Sequence, residues 1–116
     1  MIFTKIENGT RVVLPELDEN FDLWLNLNTI LNECHFDVVW GGGRIVGELE
    51  HLRVEGNMFN SDLIFLYLHN KDKVVLSALL SKEKSTTWNM QGHTYTDKEM
   101  ATQLFLKIRE EWRNKC

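Results

Sequence analysis

Apolar residues recur along this chain with two different periods, and the change from one to the other divides it into segments. From Leu17 to Cys34 the spacing is helical. At 100° per residue, Leu17, Phe21, Trp24, Leu27, Leu31 and Cys34 fall on one face, with Leu23 and Ile30 at its edge. Asp18, Asp22, Asn26, Thr29 and Glu33 fall on the opposite face. Residues 21–27 also alternate as a strand would, but the length of the periodic run and the acids near its start favour a helix over 17–34. A second helical stripe closes the chain: Met100, Ala101, Leu104, Phe105, Ile108 and Trp112. It opens on Thr96-Asp97-Lys98-Glu99, a capping box in which Thr96 and Glu99 each satisfy the other's backbone N–H.

Between the two stripes the period falls to two. Strands are expected over 36–40, 44–54, 63–69, 74–80, 86–90 and 93–95, separated by turns rich in glycine, asparagine, lysine and serine. Within 44–54 the apolar phase shifts between Leu49 and Leu52, which predicts a bulge near Glu50 or His51. Residues 63–68 and 74–80 are apolar on both faces for much of their length, as central strands are. Ahead of the first helix, 2–6 and 11–14 flank Glu7-Asn8-Gly9-Thr10, whose Asn-Gly supplies the positive φ angles of a hairpin turn. Pro15, lacking an N–H, ends that ladder. The order predicts an α+β fold. Its core would be a twisted antiparallel sheet of five to seven strands, with the N-terminal-half helix and the C-terminal helix packed on one face.

Length and composition narrow this picture. A chain of 116 residues, 43% of them apolar, reads as a single domain over 1–116 that buries about two thirds of its extended surface. No apolar run approaches the ~20 residues that span a bilayer, and residues 1–14 lack the apolar core of a signal peptide. Cys34 and Cys116 do not make a disulfide framework, so a reducing, cytoplasmic setting is expected. The net charge of −4 is uneven. Residues 1–62 hold eleven acids and four bases, residues 63–116 six acids and nine bases. The first half is therefore a poor nucleic-acid surface and a good match for a basic partner.

Most of the chemistry-bearing residues lack a catalytic or metal-binding context. Trp40-Gly41-Gly42-Gly43-Arg44 would let backbone approach an anion, with Arg44 adding donors. A phosphate loop, however, leads into a helix N-terminus, and Ile45-Val46 reads as strand, so a hairpin loop competes. The histidines His35, His51, His69 and His93 show no zinc spacing, and Cys34 sits on an apolar stripe as a buried, inert thiol. Glu48 and Glu50 share a face if their strand is regular, with Glu55 on the other. Such a pair serves as acid and base only where one pKa is strongly raised. No serine stands in a nucleophile elbow. Trp88 and Tyr95 are the right types to stack a base, but without a basic groove they are expected under a helix. The expectation is a protein that binds and is not an enzyme, with no metal and no cofactor.

Two binding readings remain. No lysine or arginine occurs between Arg11 and Arg44 to neutralise Asp18, Asp22 and Glu33, so that helix face forgoes the usual i,i+4 pairs. A small acidic α+β domain without a catalytic constellation is similar in class to immunity proteins, which neutralise a toxic and often basic nuclease-like enzyme. That likeness implies a protein partner whose active site is occluded through Asp18, Asp22, Asn26, Glu33, Glu48 and Glu50, without chemistry. The other reading is a small-molecule-binding regulatory domain, its pocket between helices and sheet with Trp40, Gly42 and Arg44 at the mouth. Neither calls for a membrane or for direct contact with nucleic acid. Leu25 and Leu106, each off its apolar stripe, are further candidates for an interface.

Overall fold

Seven strands pair in the order in which the chain makes them. The computed structural model describes residues 17, 20–82 and 86–114; the hairpin expected over 2–14, and Asp18 and Cys116, lie outside these. The elements are α1 (Leu23–Glu33), β1 (Asp37–Gly41), β2 (Arg44–Leu49), β3 (Leu52–Asn60), β4 (Leu63–Asn70), β5 (Lys73–Ser81), β6 (Thr87–Met90), β7 (His93–Tyr95) and α2 (Asp97–Arg113). Every neighbouring pair is antiparallel, so the sheet is one continuous meander with β4 at its centre. This is the α+β class expected, at seven strands. No helix among the described residues is long and apolar enough to cross a membrane.

Register sorts the strand residues onto two faces. The cross-strand rows Val38–Gly47–Val54–Leu68–Leu76, Trp40–Ile45–Gly56–Leu66–Ala78 and Met58–Ile64–Leu80–Trp88–Tyr95 lie on the side covered by both helices. Most of these residues are buried. Two glycines set how closely α1 approaches. A Cβ on Gly56 would stand 2.8 Å from the Trp24 ring, and one on Gly47 3.0 Å from Leu31. Both side chains of α1 are thus seated on bare backbone, closer than an alanine would allow.

The second helix is tied down at both ends. Its capping box is present as expected: Glu99 N–H donates to Thr96 Oγ1 and Thr96 N–H to Glu99 Oε1. Just inside, the buried Asp97 carboxylate accepts from Trp88 Nε1 (2.6 Å) and Leu23 N (3.4 Å), joining α2 to β6 and α1. Burial pushes the Asp97 carboxyl above its ordinary value, while these two hydrogen bonds act in the opposite direction. At the other end the Asn70 amide donates to Glu111 Oε1 (3.0 Å), and His51 Nε2 lies 2.8 Å from the Glu111 carbonyl while its ring stacks on Trp112.

Three local expectations are corrected. The first helix begins at Leu23, not residue 17; Asp22 is its N-cap, accepting from Leu25 N at 3.0 Å. The stretch 44–54 is two strands, not one. Glu50-His51 is the turn between them, with Glu50 at φ 53°, and Leu49 pairs with Leu52. A two-residue turn keeps both leucines on the helix side, and that is the phase shift which resembled a bulge. The register shifts in the sheet fall instead at Met58/Asn60 and Leu68/His69.

Candidate functional site

Where α1 passes over the β1–β2 hairpin it leaves a cleft of about 360 Å³, lined by Trp24, Asn28 and Thr29 from the helix and Trp40, Gly42 and Gly43 from the hairpin, among others. Trp24 forms the floor because Gly56 lets its ring settle against the sheet. Trp40 comes from the covered face of β1, paired with Ile45, at the end of the sheet where cover stops. The consequence is a tryptophan 70% exposed. Leu25, 77% exposed, lines the same cleft. Scattered exposed leucines need no explanation, but an exposed indole and an exposed leucine lining one cleft mark a contact surface.

The glycine-rich stretch is a hairpin turn. Gly42 and Gly43 take φ of +60° and +77° between the paired Gly41 and Arg44, the positive angles that a two-residue hairpin needs. The Gly43 carbonyl accepts from Met58 N at 2.7 Å, tying the turn to β3. No helix follows, so N–H groups do not converge as they do around a phosphate. Arg44 contributes to the cleft rim, while its guanidinium donates to Glu55 Oε1 at 3.1 Å on the uncovered side of the sheet. The Asn57 amide, first, and Arg44, after it, hold the Glu55 carboxyl below its ordinary value despite partial burial. What the cleft offers a ligand is two indole rings, the Asn28 amide, the Thr29 hydroxyl and exposed turn backbone. That is a seat for a flat apolar group with one or two polar edges.

The acidic residues are arranged otherwise. Asp22 caps the helix, and its carbonyl accepts from the Asn26 side chain at 2.8 Å, so both serve local structure. Glu33 is the last residue of α1, about 16 Å along the axis from Asp22 at 1.5 Å per residue. Glu48 and Glu50 lie at the end of β2 remote from the Gly42-Gly43 turn, and the register adds Asp37, which pairs directly with Glu48. Asp37 was invisible as a partner until the β1–β2 register was known. Arg53 faces Glu48 from the other side.

The remaining candidates find structural places. Glu48 and Glu55 share the uncovered face and Glu50 sits in the turn, the reverse of the expected pairing, because the turn resets the alternation. Cys34 is fully buried and its thiol is pushed up to about 12, by burial first and the Glu33 charge second. Trp88 is buried beneath α2 and paired with Tyr95. Among the described residues no three His, Cys, Asp or Glu side chains come together as a metal site. Compared with protein families, with curated proteins and with solved structures, the chain finds no match in any of the three.

Proposed function

We propose that the protein acts by binding, and that its ligand is a flat, predominantly apolar group seated between Trp24 and Trp40. The observation that supports this reading is the open cleft with a 70% exposed tryptophan on its wall, beside the exposed Leu25. A soluble fold hides an indole unless something else covers it. The cleft is of the size that small-molecule sites begin at, about 300 Å³. A thermal-shift screen of indole, naphthalene and quinoline derivatives tests it. A binder should raise Tm with concentration as RT ln(1 + [L]/Kd) requires, and W40A should abolish the response while leaving the unliganded melting temperature near that of the parent. A screen in which W40A responds like the parent would remove the cleft from the reading.

A second reading, occlusion of a basic protein partner in the manner of an immunity protein, is favoured by the Asp37–Glu48 pair. Like charges directly opposite on a sheet cost stability, and a basic partner would relieve that cost. Here the contact residues are Glu33, Asp37, Glu48 and Glu50, with Asp22 and Asn26 held in the helix cap. Capture of partners from the native host, washed in low and high salt, tests this. A basic protein released by salt, and lost with the variant E33K/E48K, would support it; retention by that variant would count against it.

A further inference from the structure

Beyond its Asp37–Glu48 end, which the second reading uses, the uncovered face of the sheet has no part in either reading. Its rows are Val39–Val46–Glu55–Tyr67–Ser77 and Arg44–Asn57–Phe65–Leu79–Asn89. Phe59, Phe65, Tyr67 and His69 form a run of ring contacts across it, with centroids 5.1, 6.2 and 6.2 Å apart. No helix among the described residues lies over this face. We propose that it is the interface of a homodimer, in which two copies pack sheet against sheet with their helices outward.

Three observations converge on a second copy as the occupant. The first is area. Strands β1 to β5, of five, six, nine, eight and nine residues at ~3.3 Å rise and ~4.8 Å spacing, give some 590 Å² in projection. Two such faces together make about 1,200 Å², the low end of the range for specific interfaces, as a reversible dimer needs. The second is charge. Asp37, Glu48 and Glu55 stand against Arg44 and Arg53, so the face is nearly neutral although the chain carries −4. Two such faces meet without strong repulsion, whereas a nucleic acid needs an excess of bases. The third is that the polar group in the middle of the face is already satisfied within one copy. Glu55 takes hydrogen bonds from Arg44 (3.1 Å) and Asn57 (2.9 Å). Covering a paired, hydrogen-bonded group costs far less than covering a lone charge.

Sedimentation equilibrium of the full chain across low to high micromolar concentration tests the proposal. The expected result is a reversible dimer of the 13.6 kDa chain. F65E and S77R each place a charge in the interface and should weaken the dimer by at least about tenfold. L106E, on the far side of α2, should leave it unchanged. Ser77 is exposed, so S77R keeps the monomer core intact and decides the matter where F65E fails to fold. A monomer at every concentration, or a dimer indifferent to S77R, would overturn the proposal. So would tight binding of a fluorescent single-stranded oligonucleotide to this face, lost in S77E.

Discussion

On the helix-covered face, Val54, Leu68 and Leu76 meet across three strands; one residue along each strand, on the other face, the row reads Glu55, Tyr67, Ser77. The first row is buried and purely aliphatic, and its fit is set by volume: α1 can lie where it does because Gly47 and Gly56 leave room for Leu31 and Trp24. The second row is half-exposed and chemically mixed, and it is organised by pairing, Arg44 to Glu55 and ring to ring. One sheet therefore shows two kinds of tolerance. A change of size matters on one side, a change of charge or partner on the other.

The largest expected effect comes from deleting volume beneath the helices. L66A should cost about 2–5 kcal/mol in urea unfolding, because Leu66 is buried in the middle of the covered face. L79A, on the open face of the neighbouring strand, should cost about 1 kcal/mol or less, measured at concentrations where the chain is monomeric. Equal costs would mean that the open face is packed as tightly as the covered one. Next in size, G56A drives a methyl against Trp24 and should cost about 1–3 kcal/mol, with a change in tryptophan fluorescence. G42A meets nothing within 4 Å, and its cost of about 1 kcal/mol comes only from the left-handed φ. If G56A proved the milder of the two, the close seat of Trp24 would be wrong.

The smallest effects lie in the pH dependence, and the two faces contribute with opposite sign. Asp97 has a raised folded value, so its contribution is complete below the unfolded value of 3.8 and is lost as pH climbs through the folded one. Glu55 has a lowered value; its contribution is complete above 4.5 and is lost as pH falls through the folded value. Urea melts over the range pH 3 to pH 7 should show D97N losing less stability than the parent as pH rises above 3.8. They should show E55Q losing less as pH falls below 4.5. A pH profile unchanged by both substitutions would remove these carboxylates from the linkage.

How far the sequence foretold this depended on the range over which each feature is decided. The second helix, its capping box and the buried Trp88 were legible because each is encoded within a few neighbouring residues. The start of α1 was not, since Leu17 and Phe21 are buried without being helical, and a helical wheel cannot separate burial from helicity. The β2–β3 turn hid because neither Glu50 nor His51 is a usual turn residue, although Glu50 adopts a left-handed angle there. The cleft was legible in part. Trp40 and Gly42 were marked as its mouth, but Trp24 looked like any core residue until Gly56 was seen to lie beneath it. Pairings such as Asp37 with Glu48 exist only once the register does.

The bond between His51 and the Glu111 carbonyl spans 60 positions of sequence, in a molecule whose strand pairings join neighbours. A meander of this kind can zip up locally, each hairpin closing a short loop at modest entropic cost. Docking of α2 is the exception, because it must bring the end of the chain back to the second hairpin after the strands exist to receive it. The two latches of α2, Asp97 on Trp88 and Glu111 beside His51, then act mainly on how long the finished structure lasts and little on how quickly it forms.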